Sequence, residues 1–81
     1  DGLTFFIYRS LIEKDIKNTD LVTKNIKEEF VNHPNWKTSE KELRELRQAV
    51  YFALLAEEDE IEKVANIVDE LFHHLLIAFN L

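Results

Sequence analysis

His33-Pro34-Asn35-Trp36-Lys37-Thr38-Ser39-Glu40-Lys41-Glu42, running on into Leu43-Arg44-Glu45-Leu46-Arg47-Gln48-Ala49-Val50-Tyr51, is the stretch that decides the fold. Pro34 has no N–H and pushes His33 toward extended backbone, so a helix arriving from the N-terminal side must stop there. Ser39 with Glu42 three residues on is a capping box, in which each side chain satisfies an orphan N–H at a helix start. Leu43, Leu46, Val50 and Leu54 then recur at spacings of three and four, marking one face of the new helix. Trp36 lies between the stop and the start, where its ring can plug the gap between two helices.

Outward from this corner the periodicity stays helical. The whole chain holds one Gly and one Pro, which leaves little punctuation for hairpins. Helices are predicted over about 3–14, 20–32, 40–57 and 60–79, giving an all-α, small four-helix bundle-like domain that spans residues 1–81 as a single unit. Asn18, Thr19 and Asp20 are capping candidates for the second helix, and Asp59 with Glu62 imitates a capping box for the fourth. Asp20/Lys24, Glu40/Arg44 and Asp59/Lys63 place an acid four residues before a base, each pair worth a few tenths of a kcal/mol.

The apolar stripes are unequal. The second helix has a narrow one, Val22, Ile26 and Phe30. The third is apolar nearly all round from Ala49 to Leu55. The fourth carries Ile61, Val64, Val68, Leu71, Leu75 and Phe79, with a second row of Phe72, Leu76 and Ile77. The first has Phe5, Tyr8 and Ile12 on one side and Leu3, Ile7 and Leu11 on another. Four short helices in 81 residues cannot all be central, and a helix that is apolar all round meets something on more than one side. The surplus on the first and last helices therefore marks Leu3, Phe6, Ile7, Tyr8, Phe72, Leu76 and Phe79 as expected contacts with a neighbour. Trp36, Ser39 and Glu42 are read as structural.

The wording of the central corner, an acidic-aromatic Glu28-Glu29-Phe30, then His33-Pro34-Asn35-Trp36, then Ser39-Glu40 and Glu42-Leu43-Arg44, resembles the helical C-terminal region of type I restriction enzyme motor subunits. The likeness covers roughly residues 3–76 and is specific around Trp36 and the helix from Glu42 to Leu55. It implies a docking module that tethers a DNA-translocating, DNA-cleaving subunit to the methyltransferase and specificity core of a restriction complex. ATP, magnesium and S-adenosylmethionine belong to that whole complex, and no cofactor site is expected in this segment. The chain opens at Asp1 without methionine and is read as a piece of a longer subunit.

Composition bears on the same question. A net charge of −6 with scattered Lys and Arg argues against direct nucleic-acid contact, which needs clustered cations. The absence of cysteine excludes disulfides and thiolate chemistry and fits a reducing cytoplasm. No apolar run reaches the roughly 20 residues a membrane span needs. His73 and His74 project about 100° apart on a helix and cannot chelate as an i, i+4 pair would. The carboxylates Glu28, Glu29, Glu57, Glu58, Asp59 and Glu60 read as solvated helix ends, and Arg44 and Arg47 as part of a salt-bridged face among Glu40, Glu42 and Glu45. No phosphate loop, nucleophile elbow or zinc signature occurs, so no catalysis is expected here. The rival reading is a free-standing acidic helical adaptor or DNA-mimicking regulator, against which the interleaving of acids with Lys and Arg counts. Weak self-association of the isolated chain is a further expectation.

Overall fold

In the computed structural model, which describes residues 2–78, four helices follow one another: α1 (Gly2–Glu13), α2 (Thr19–Asn32), α3 (Glu40–Leu55) and α4 (Ile61–Ala78). Each packs on its neighbour in sequence, and α4 closes back on α1. The radius of gyration is 11.7 Å, equal to the value of about 11.7 Å expected for a compact chain of this length. The predicted all-α bundle is thus what forms, with each helix end within a few residues of its expected place.

The corner at Trp36 explains why. His33 sits at φ −126°, as the following Pro34 requires, and α2 ends there. Ser39 Oγ accepts the Glu42 N–H at 3.2 Å, the first half of the capping box. The second half is redirected. Glu42 Oε1 accepts from the N–H of Asn35, at 3.1 Å, because the Ser39 N–H already donates to the Asn35 carbonyl at 2.9 Å. Glu42 therefore ties the helix start to the connector rather than to its own cap.

Trp36 is 6% exposed and meets Phe30 edge-on, ring centres 5.4 Å apart. Phe30 stacks on Phe72 of α4 at 5.9 Å, with the rings 6° from parallel. Arg47 of α3 lies over the Phe72 ring at 5.3 Å and bonds Asp69 at 2.7 Å. Arg47 therefore bridges α3 to α4, which corrects its assignment to a face balanced by Glu40, Glu42 and Glu45. Around this spine the buried residues are Ile7, Leu11, Ile16, Val22, Ile26, Leu46, Val50, Leu54, Val64, Ile67, Val68, Leu71 and Leu75.

The other connections depart from their predicted caps. Asn18 precedes α2 at φ 53°, and its side chain makes no cap bond. Its amide instead donates to Glu57 Oε2 at 2.8 Å, joining the α1–α2 and α3–α4 connections. Thr19 Oγ1 donates back to the Ile16 carbonyl. At α4 the Val64 N–H bonds the carbonyl of Glu60, so the cap position belongs to Glu60 and not to Asp59. Lys63 pairs with Glu58 at 2.8 Å in place of the expected Asp59. Helix α3 ends at Leu55, two residues early, because the N–H groups of Glu57 and Glu58 both turn back onto the Leu54 carbonyl.

The end of α1 is a Schellman motif built without glycine. Ile16 N–H bonds Leu11 O, Asp15 N–H bonds Ile12 O, and Asp15 takes the left-handed conformation at φ 57°. Ile16 then tucks into the core beside Leu11. With a single Gly in the chain, Asp15 and Asn18 take the left-handed positions that Gly would normally fill, as residues of their type do most readily.

Two outcomes follow from these contacts. Trp36→Ala is expected to cost about 3 kcal/mol or more, since it empties the Phe30 edge and opens the α2–α3 corner; the denaturant midpoint measures it. Asp15→Gly is expected to stabilise the chain by about 1 kcal/mol through relief of left-handed strain, seen as a raised Tm.

Candidate functional site

Helix α1 decides what the surface offers. Leu3, Ile7 and Leu11 turn inward and Phe5, Tyr8 and Ile12 turn outward, so the two apolar sides that the sequence shows are divided between core and solvent. Phe5 is 64%, Ile12 48% and Tyr8 38% exposed, and Leu21 at the start of α2 is 51% exposed beside them. Between α1 and α2 runs an open groove of about 570 Å³, lined by Thr4, Phe5, Tyr8, Asp20, Thr23, Lys24, Lys27 and Glu28. A second hollow of about 330 Å³ continues it past Tyr8 to Ile12, Asn18 and Leu21. Tyr8 belongs to both and stands at the centre of the face.

The floor of this groove is unusual. Thr23 is buried, yet its hydroxyl has no hydrogen-bond partner among the described residues. A buried hydroxyl left unpaired costs about 1–3 kcal/mol. The lip above it is charged, with Asp20, Lys24 and Glu28 four residues apart along α2 and Lys27 beside them. On the outer flank of α1, Arg9 and Glu13 pair with each other at 3.4 Å, both exposed.

The expected contact residues divide. Tyr8 is exposed on this groove. Ile7 and Phe72 are fully buried, and reading them as partner contacts is corrected. Ile7 fills the α1 side of the core, and Phe72 is the stacking partner of Phe30. Leu3, Phe6 and Leu76 are half-buried and packed against the core, with Phe6 edge-on to His74 at 6.3 Å. Leu76 also borders a small hollow with Trp36, Ser39 and Leu43. Phe79 lies outside the described residues. Phe5, Ile12 and Leu21, which were not singled out as contacts, are the exposed members. The signal for two of them was present in the Phe5, Tyr8 and Ile12 spacing.

His33 Nδ1 lies 2.8 Å from the Glu29 carbonyl. His73 and His74 sit side by side with ring centres 5.8 Å apart, and among the described residues no group of three or more His, Cys, Asp or Glu could hold a metal ion. The hydrogen bond from Lys63 holds the Glu58 carboxyl below its ordinary value of 4.5, and the same bond raises the Lys63 ammonium. Among the described residues no helix is long and apolar enough to cross a membrane.

Comparison with protein-family models, with curated proteins and with solved structures found no match.

The orphan hydroxyl gives a direct test of the groove floor. Thr23→Val keeps the shape and removes the unpaired group, so it is expected to stabilise the chain by about 1 kcal/mol. A chemical-denaturation curve shifted to lower midpoint would mean that the hydroxyl is satisfied.

Proposed function

We propose that this chain is a helical interaction module, and that its place is the C-terminal region of a type I restriction motor subunit, where it tethers that subunit to the methyltransferase and specificity core. The observation that supports the interaction role is the row Phe5, Tyr8 and Ile12, with Leu21, left in solvent along one groove. Isolated exposed apolar residues are ordinary on any surface, whereas a contiguous stripe above a groove is the form that a helix-binding site takes. The restriction parentage is supported by the wording from Glu28 through Arg44. In this reading the module works in the cytoplasm, contributes no chemistry, and leaves ATP, magnesium and DNA to other parts of the assembly.

The contacts are proposed to be Tyr8, Phe5, Ile12 and Leu21, with Leu3, Phe6 and Leu76 at the margin. Tyr8→Glu places a charge at the centre of the stripe without touching the core. It is expected to weaken binding of the chain to an isolated type I methyltransferase core by tenfold or more, measured by calorimetry, while the far-ultraviolet circular dichroism stays unchanged. A wild-type chain that does not bind such a core would remove the parentage.

A further inference from the structure

We infer that α1 exchanges between two copies of this chain. Residues 14–18 straighten, α1 and α2 merge into one helix, and each copy seats its α1 against α2 and α4 of the other. This goes beyond the docking role proposed above and does not depend on it.

The connector between α1 and α2 is short and strained. Asp15 at φ 57° and Asn18 at φ 53° both hold a Cβ in the left-handed region. Helix α2 also starts without a side-chain cap, because the Asn18 amide is turned away to Glu57. Neither Gly nor Pro lies between Glu13 and Thr19, so every residue of the turn can enter a helix. Straightening removes the left-handed strain from both copies, and every contact of α1 is remade with the other copy. Short hinges under strain invite such an exchange.

The sequence pattern points the same way. Tyr8, Ile12, Ile16, Thr19, Thr23 and Ile26 follow one another at spacings of four, four, three, four and three. That is the helical repeat, and it runs through the turn without a break. At the α2–α3 corner, by contrast, Pro34 ends the pattern. The hairpin divides this single row, leaving Tyr8 and Ile12 in solvent while Ile16, Thr23 and Ile26 are buried. In one straight helix the row is a continuous stripe. The closed turn has contacts of its own, with Ile16 in the core and Asn18 on Glu57. Monomer and exchanged pair are therefore balanced, and the chain concentration during folding decides which forms.

The test follows the edge contact between Phe6 of α1 and His74 of α4, whose ring centres are 6.3 Å apart. Carbon-13-labelled and unlabelled chains are unfolded together and refolded at millimolar concentration. Sedimentation is expected to show a dimer, and isotope-filtered NOEs to place Phe6 of one copy against His74 of the other. Asp15→Ala with Asn18→Ala makes the left-handed turn costlier and is expected to raise the dimer association constant tenfold or more. Asp15→Gly with Asn18→Gly frees the turn and weakens the straight helix, and is expected to lower that constant tenfold or more. The glycine pair decides the matter if the alanine pair does not fold. Absence of a wild-type dimer overturns the inference. So does a dimer whose Phe6–His74 contact stays within each copy, or one that the glycine pair leaves unchanged.

Discussion

Phe30 occupies the position on which the rest of the fold leans. One edge of its ring receives Trp36 from the connector, and its face stacks on Phe72 of α4. Phe72 in turn lies under the Arg47 guanidinium of α3, itself held by Asp69. Three helices and the only proline-containing connector are thus joined through four consecutive contacts. Helices α2 and α4 are diagonal in the bundle, so the stacked pair crosses its centre, where the two backbones do not approach each other. Aromatic pairs add about 0.5–1.5 kcal/mol beyond the area they bury, and in a chain with no disulfide such a spine sets the helix register.

Helix α1 stands apart from that spine. It contributes Ile7 and Leu11 to the buried core, whereas α4 contributes six residues. Leu3 and Phe6 pack at its margin, while Phe5, Tyr8 and Ile12 are turned outward beside the groove that it forms with α2. Asp20 and Glu28 lie along this edge, and other acids fasten the connections. There Glu57 receives the Asn18 amide and Glu58 receives Lys63. Charge near the connections is thus used to fasten turns.

Much of this organisation could be read from the residues. Pro34, Ser39 and Glu42 fix the α2–α3 corner through local backbone chemistry, and Val22, Ile26 and Phe30 leave α2 one face to bury. Four helices follow from such local rules. The choice of face on α1 and α4 was not legible in the same way. Both have two apolar rows, and periodicity counts rows without saying which one the neighbours cover. Row counting alone therefore assigns Ile7 and Phe72 to contacts with a neighbour and leaves out Phe5, whereas the first two are fully buried and Phe5 is exposed. The left-handed Asp15 and Asn18 were also hidden, because that backbone region is normally announced by glycine. Arg47 looked like one more member of a charged face because Asp69, its partner, is 22 residues away. Nothing local marks such a pairing. The groove and its acid–base–acid lip depend on α1 presenting Tyr8 toward α2, which periodicity does not fix.

The placement of the aromatic residues has a spectroscopic consequence. The chain has one indole, and it sits against Phe30 at the corner where α2, the connector and α3 meet. Tyr8 stands over the groove between α1 and α2, on a different part of the molecule. Emission from Trp36 therefore follows assembly of the interior, and the environment of the Tyr8 ring follows occupancy of the groove. With Tyr51, the second tyrosine, replaced by Phe, folding and docking carry separate intrinsic optical reporters, and the two processes can be timed against each other without an added label.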